Sequence, residues 1–531
     1  MKTFYSLVTP LFIFLFSVTA GKITSASNLG VKEDISVLIE LNQRSKIPFD
    51  STQVAPFYLK FPELVKYEKE VKAIYRKYHF QTIWLAEKGV VEFGHSLYSK
   101  VKALEAEGVP STFPYEAKLD GVFDDEIENT LTDQETELML TNLFVFYAGK
   151  VYKGMDEKTT TDIGWLLPRK PLSYTVLLDS IFASKNLAND ESKFVLKQYY
   201  KLKTVLQQYR EIEKKGGWSP IESDPKIKAY KPGDSAKAIR QIREYLFITN
   251  DIKQDNGSSK YDVELMTAIK KYQARNGFKP TTTITQTHIK QMNRPIGDRI
   301  KQIIVNMERC RWIDPEIVNS KELVVVNIPS YLLNFYEAGK SILESPVVVG
   351  KSNSKTVIFS GNMSYIAFSP YWNVPQSIIN KEVKPGMAKN PNYLEAHNME
   401  WNNGQVRQKP GIRNSLGLIK FMFPNAQNIY LHDTPSKSLF ERETRAFSHG
   451  CIRVKKAREL ALTILKDDKN WTPAKIDAAM NAGKESTYSL QRKIPVYIGY
   501  FTAWVNDNGE INFYDDIYKR DENLYKLLIG K

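Results

Sequence analysis

Ser448-His449-Gly450-Cys451-Ile452-Arg453-Val454, with Ile429-Tyr430-Leu431-His432-Asp433-Thr434 upstream, sets the character of the C-terminal half. Side chains alternate along a strand, so Tyr430 and His432 share one face while Ile429 and Leu431 share the other. His432 then stands at a strand end facing a cleft, and Cys451 follows a glycine in a tight polar turn. A thiol needs a base or positive surroundings to become a thiolate near neutral pH. An imidazole brought against it takes the sulfur proton and later hands it to a leaving amine. Neighbouring strand residues point oppositely, so the Asp433 carboxylate is badly placed to orient that imidazole and its carbonyl is the candidate instead.

Other readings of Cys451 stand beside the nucleophile. Free cysteine is among the most buried residue types, so a packed small side chain is one alternative. A disulfide with Cys310 is another, although the 300–312 segment reads as helix and sequence supplies no geometry. Zinc held by His432, His449 and Cys451 is a third, but His449-x-Cys451 lacks paired-ligand spacing.

Outward from the pair, the C-terminal half is β-rich. Strands are predicted at 323–328, 331–336, 345–349, 418–423 and 428–432, and a helix at 454–465. A late hairpin, 496–505 with 511–514, turns at Asn506-Asp507-Asn508-Gly509. A polar insertion between Pro375 and Gln408 carries Lys381, Lys384 and Lys389.

Upstream, 300–312 is a basic helix. Between about 227 and 293 lies a three-helix unit. Asp234 is predicted to cap a helix with Ile239, Ile242 and Leu246 inward. Asp262 caps a second with Val263, Met266, Ile269 and Tyr272 inward, and Thr285 a third with Ile289 and Met292. From 57 to 220 the chain is mostly helical: Leu64, Val65, Tyr67, Val71, Ile74, Tyr75 and Tyr78 recur at near-helical spacing, and helices are expected at 135–152 and 194–212. Trp165 to Pro171 reads as a break. No titratable groups gather there in a catalytic pattern, so a scaffold is expected.

Composition bounds the answer. At roughly 150 residues per domain, 531 residues predict three or four domains. Hydrophobic residues at 42% and aromatic residues at 12% exclude a mainly disordered chain. Two cysteines exclude a disulfide scaffold or a four-thiolate zinc site. A net charge of +14 predicts an anionic partner: nucleic acid, a membrane surface or an acidic polymer. Met1-Lys2, the apolar run Leu11-Phe12-Ile13-Phe14-Leu15-Phe16 and Ser17-Val18-Thr19-Ala20 have the parts of a secretory signal peptide, cleaved after Ala20 or as late as Ala26. The apolar run is too short for a bilayer of about 30 Å, and an uncleaved N-terminal anchor is the alternative. Export argues against nucleic acid and for a wall polymer or lipid surface.

The Ser448 to Val454 heptad, with His432 nineteen residues before Cys451, resembles the signature of L,D-transpeptidases with a YkuD-type catalytic domain. Tyr371-Trp372-Asn373-Val374-Pro375, Gln408-Lys409-Pro410-Gly411-Ile412-Arg413-Asn414-Ser415-Leu416-Gly417 and Lys420-Phe421-Met422-Phe423-Pro424-Asn425 extend the resemblance to the large murein enzymes. Tyr261-Asp262, Tyr272-Gln273 and Gly277-Phe278 resemble a peptidoglycan-binding module, with Thr281-Thr282 in place of its Asp-Gly. Those enzymes usually carry tryptophan where Cys310 stands, which implies a packed, nonessential thiol.

The resemblance implies a multidomain α+β chain. It comprises a signal peptide at 1–20, a helical scaffold at 27–220, a peptidoglycan-binding-like domain at 227–293 and a connecting helix at 294–320. A β-rich catalytic domain follows at 321–531, with a capping insertion at about 376–408 that shields a thioester from water. The implied reaction is acyl transfer between tetrapeptide stems of peptidoglycan in the periplasm, making 3→3 cross-links and releasing D-alanine. Carboxypeptidase or D-amino-acid exchange chemistry on the same thioester, and a noncatalytic wall-binding scaffold, are the alternatives.

Cys451 is the implied nucleophile and His432 the proton donor and acceptor. His449 is an orienting residue, and Gly450 and Cys451 offer oxyanion N–H groups, worth about 3–4 kcal/mol per donor in hydrolases. Arg453, Tyr430, Ser448 and Asn414 are implied in substrate binding, Arg453 through a stem carboxylate unless it forms a salt bridge fixing the turn. No cofactor or metal is implied. Other envelope wall enzymes are implied partners, and carbapenems implied covalent inhibitors.

Overall fold

The computed structural model describes residues 47–169, 171–183 and 193–530; the candidate signal segment lies outside them. Among the described residues no helix is long and apolar enough to cross a membrane.

In the N-terminal region Val71, Ile74 and Tyr75 make one buried side of α1 (Glu68–Lys77). It packs on α2 (Asp133–Ala148), which opens with a Thr132–Glu135 capping box and is buried on nearly every side. Val65 is exposed, because Pro62–Tyr67 coils as a separate 3₁₀ turn instead of extending α1. The predicted break contains β1 (Trp165–Leu166), a strand running parallel to a strand of the C-terminal barrel. The backbone before Pro168 is biased towards extended geometry, and an open strand edge takes it up. Helix α3 (Gln198–Lys214) follows.

The three-helix unit contains α4 (Lys237–Ile248), α5 (Val263–Arg275) and α6 (Gln286–Met292) around its own core. Asp262 and Thr285 cap α5 and α6. Asp234 does not cap α4: its carboxylate accepts the Lys231 N–H and closes the Pro232-Gly233 turn, while Ala236 is the N-cap. Val263 is 72% exposed, since the inward stripe of α5 starts at Leu265 and continues through Ala268, Ile269 and Tyr272.

Helix α7 (Ile296–Arg311) packs along α3 and leads into the barrel. Its Cys310 is fully enclosed and both cysteines are free, which removes the disulfide reading.

The barrel strands are β2 (Glu322–Asn327), β3 (Leu332–Glu337), β4 (Lys340–Gly350) and β5 (Ile358–Phe368). An insertion interrupts them with β6 (Trp372–Asn373), β7 (Met399–Asn402) and β8 (Gln405–Gln408), a separate small sheet over Val374, Ile378, Ile379, Val383 and Val406. Then come β9 (Ile419–Met422), β10 (Leu431–His432), β11 (Ala446–Ser448) and β12 (Ile452–Val454). Helices α8 (Ala457–Leu465) and α9 (Pro473–Met480) precede β13 (Ser486–Gly499). The chain closes with the hairpin β14 (Ala503–Val505) and β15 (Ile511–Phe513), then α10 (Asp521–Leu528).

The order β9-β10-β12-β4-β3-β2-β13-β5 returns to β9, so the sheet closes on itself. On the edge of β5 shared with β9, β1 pairs with the opposite end of the strand, so a scaffold segment completes the seam. One continuous core joins scaffold helices and barrel. The predicted strand 428–432 is shortened to β10, because Asn425 Oδ1 accepts the Gln427 and Ile429 N–H groups and holds that stretch as a turn.

Candidate active site

Three strands position the site. β9 and β10 run antiparallel with Lys420 opposite His432, and β10 and β12 run parallel with His432 beside Arg453. Phe421, Leu431, Ile452 and Val454 on these strands are completely buried in the barrel core. Alternation therefore puts Lys420, His432 and Arg453 in one row on the other face.

Cys451 stands in the turn between β11 and β12, half-buried. Gly450 has φ +123°, a conformation that favours glycine. Ser448 Oγ donates to the Cys451 carbonyl at 2.5 Å and accepts the Gly450 N–H at 3.1 Å. Thr356 Oγ1 donates to the Gly450 carbonyl at 2.8 Å, and the Thr356 N–H donates to the Tyr518 hydroxyl at 3.1 Å. The turn is thus fastened to the start of β5 and to the C-terminal segment. The Gly450 N–H is spent on Ser448 and is no open oxyanion donor. Ser448, 2% exposed, shapes the turn from inside and does not face the cleft.

Burial pushes the Cys451 thiol up, opposed by hydrogen bonds from the Tyr430 backbone and hydroxyl and then by the charges of Lys420 and Arg453. Its Sγ lies 3.7 Å from the Asn428 carbonyl. Tyr430 shares the face of His432, as alternation predicts, with ring centroids 5.7 Å apart. Lys420 Nζ lies 3.9 Å from the Tyr430 ring centre, and Trp372 in β6 acts on the Tyr430 side chain.

His432 is 4% exposed, and its Nδ1 lies 2.6 Å from the Asp433 carbonyl. A carbonyl only accepts, so Nδ1 carries the ring hydrogen and Nε2 keeps its lone pair. The Asp433 carboxylate points away, accepting the Leu418 N–H at 3.0 Å and pairing with Lys437. Burial pulls the imidazole down to about 3, reinforced by Arg453 and Lys420 and opposed by the Asp433 and Leu416 carbonyls. At rest the base is neutral. No hydrogen bond joins it to Cys451 among those described; such bonds often tighten only with substrate bound.

The remaining expected residues take other positions. Asn414 is fully buried and donates to the Pro370, Gln408 and Lys409 carbonyls, so it holds the loop that presents Leu416 to the imidazole instead of facing substrate. Arg453 forms no salt bridge among the described residues, and its Nε is enclosed without a hydrogen-bond partner. His449 faces the insertion, with Nε2 3.3 Å from Glu382 Oε1. Lys420 and Trp372 appear in the sequence reading only within longer motifs, and neither they nor Glu382 and Thr356 are given a site role there. For Lys420 the available signal was strand alternation, which put it on the face of β9 opposite Ile419 and Phe421.

Residues 321–476 match the family model of the L,D-transpeptidase catalytic domain, and residues 69–206 match that of a scaffold domain. The chain carries an L,D-transpeptidase catalytic domain. A curated Haemophilus influenzae protein, whose name assigns it provisionally to the L,D-transpeptidases, is 35% identical over 245 residues. The match covers 42% of this chain and 49% of that protein, so the chain spans about half the length of its curated relative. Among solved structures, an L,D-transpeptidase from Stackebrandtia nassauensis is 16% identical, covering 51% of this chain and 94% of that one, with TM-score 0.21. L,D-transpeptidase 3 from Mycobacterium tuberculosis, solved with a faropenem-derived adduct, is 13% identical over 34% of this chain and 60% of that one, with TM-score 0.19. The fold around this L,D-transpeptidase domain is mixed α+β, with a helical N-terminal region and a barrel-like C-terminal sheet.

Proposed function

We propose that this protein is an extracytoplasmic L,D-transpeptidase that forms 3→3 cross-links between tetrapeptide stems of peptidoglycan through a thioester on Cys451. The observation that carries this reading is the row of a neutral imidazole with a free Nε2 and two cations on one barrel face, with the half-buried Cys451 thiol in the turn that leads into that row and within reach of both charges.

In the first half-reaction His432 Nε2 takes the Cys451 proton as sulfur attacks the carbonyl carbon of the third stem residue. The tetrahedral adduct collapses with cleavage of the C–N bond. The leaving D-alanine amine takes the proton from His432, and a thioester remains. A side-chain amine of a second stem then attacks the thioester, His432 accepts its proton, and the thiolate leaves and is reprotonated. Two carbonyls facing the imidazole, of Asp433 and Leu416, favour the transient imidazolium.

The insertion's contacts with Tyr430 and His449 support its role as a cap that limits water at the thioester. Residues 227–293 act in this reading as a wall-binding body. The signal-like 1–20 segment supports export, and the +14 charge a weak, salt-screened attraction to a carboxylate-bearing polymer. Carbapenems would acylate Cys451 by the same attack.

The test is incubation with defined tetrapeptide muropeptides, followed by mass analysis of products and of the Cys451 peptide. Cross-linked dimers, lost D-alanine and an acyl adduct on Cys451 are expected. Trimmed monomers alone would reassign the reaction to a carboxypeptidase, and undiminished dimers from Cys451→Ala would end the thioester mechanism.

A further inference from the structure

We propose that Lys420 and Arg453 form a side-chain anion site on either side of His432, holding the negative charge of the Cys451 thiolate and then of the tetrahedral oxyanion. This deepens the transpeptidase reading above and rests on it.

The register places the two cations symmetrically, Lys420 opposite His432 on β9 and Arg453 beside it on β12. Both are half-buried. Among the described residues neither has a carboxylate within ion-pair distance, although Arg243, Arg275 and Arg311 all do. Lys420 Nζ rests over the Tyr430 ring, and the enclosed Arg453 Nε bonds to nothing. Glu485 is the other acidic group that acts on Lys420, and its carboxylate accepts the Tyr371 N–H at 2.7 Å.

Partly desolvated charge is expensive unless paired. Two such cations flanking one imidazole therefore point to an anion that the resting protein lacks. The reaction makes one at each stage. When the Cys451 proton passes to His432, the electron pair stays on sulfur; when sulfur attacks, the carbonyl π pair moves to oxygen. Collapse returns that pair to the carbonyl as the C–N bond breaks.

Of the two backbone donors expected here, Ser448 Oγ takes the Gly450 N–H, which leaves the Cys451 N–H and the two side-chain cations to meet this charge. Lys420 also lies against the ring of Tyr430, a residue that acts on the Cys451 sulfur. Burial first, and then the same two charges, keep His432 unprotonated at rest, so it remains available as a base. Preorganised charge aimed at a developing anion is a large source of rate acceleration.

The experiment is alkylation of the full chain by iodoacetamide from neutral to alkaline pH, with the Cys451 peptide quantified by mass spectrometry. Lys420→Met and Arg453→Met should each raise the midpoint for thiolate formation, slowing alkylation below it by about tenfold. Lys420→Arg and Arg453→Lys keep charge while altering packing and should stay near the wild-type midpoint. In turnover, the methionine variants should lower kcat with KM little changed.

An unchanged midpoint in both methionine variants overturns the proposal. So does an equal shift in the charge-keeping variants, or a rise in KM with kcat preserved, which would mark substrate-carboxylate binding instead. Absence of any Cys451 alkylation in the wild-type protein would overturn the nucleophile reading itself, a result distinguishable from those.

Discussion

Three enclosed cations and two half-buried ones behave differently. Arg243 in the three-helix unit is fully enclosed and bonds to Asp262 at 2.6 Å and Glu264 at 3.0 Å. Arg275 pairs with Asp251 and donates to the Ile511 carbonyl at 2.9 Å, tying that unit to the β14–β15 hairpin. Arg311 in α7 bonds to Glu308 at 2.7 Å and to the Val151 and Glu107 carbonyls of the scaffold. Each holds elements together and each is compensated. Among the described residues Lys420 and Arg453 have no carboxylate within ion-pair distance, and Lys420 rests on the Tyr430 ring. A missing carboxylate alone does not mark such a role, since the enclosed Arg299 bonds only to Gln302 and Gln291; at Lys420 and Arg453 it is the position on either side of His432 that points to a charge formed during reaction.

The largest effect should come from removing that charge at its source. Cys451→Ala should lower cross-linking of tetrapeptide muropeptides by at least about a thousandfold, as loss of a nucleophile does elsewhere. Its melting temperature should stay within a few degrees of wild type, because the thiol is neutral at rest. A large stability change would mean that the sulfur serves the fold. Next in size is the loss of a compensated cation. Arg311→Met leaves Glu308 enclosed without its guanidinium, which should cost about 3–5 kcal/mol in a denaturant titration. Lys420→Met should change stability by less than about 1 kcal/mol while slowing turnover. Equal stability losses in the two variants would erase the distinction.

This contrast also explains what could be read beforehand. The Cys451–His432 pair, the shared face of Tyr430 and the role of the Asp433 carbonyl follow from a local signature and the two-residue period of a strand. Lys420 is local in sequence but acquires meaning only from its register opposite His432, a long-range pairing that alternation does not set. Gly450 and Asn414 had the right chemistry and the wrong availability, since side-chain bonds from Ser448 and to three loop carbonyls consume them. At fold level, helix spacing gave α1 to α3 within a few residues. The closing contribution of β1 was hidden, because two extended residues before a proline look like a break until β5 offers an edge.

The imidazole supplies a pH test of comparable weight. His432 is pulled from 6.5 down to about 3 by burial first and then by Arg453. Its folded value is the lower one, so the unfolded chain binds more protons between those limits. Stability should therefore fall as pH drops from about 6.5 towards 3, by several kcal/mol in total. His288, pulled down to about 4 by burial, adds to the same slope. Turnover should show no histidine limb near 6.5, because the base stays unprotonated. His432→Gln should flatten part of the acid stability slope in urea titrations at stepped pH. An unchanged slope would mean that neither burial nor the neighbouring charges hold this ring unprotonated in the folded chain.

The smallest effect concerns the cap, where an exposed pair replaces buried charge. His449 Nε2 and Glu382 Oε1 are 3.3 Å apart, with side chains 45% and 55% exposed. Exposed pairs contribute about 0–1 kcal/mol and are screened by salt, so Glu382→Gln should leave the melting temperature almost unchanged. The pair nevertheless bridges the insertion and the turn that carries the nucleophile. Loosening it should admit water to the thioester more often, raising the ratio of trimmed monomers to cross-linked dimers by about twofold, since even ~0.4 kcal/mol corresponds to that factor. His449→Ala should reproduce the shift, and the two substitutions together should add little to either alone. A product ratio independent of both would show that the cap is held by its apolar core and by Trp372 against Tyr430, with Glu382 a bystander.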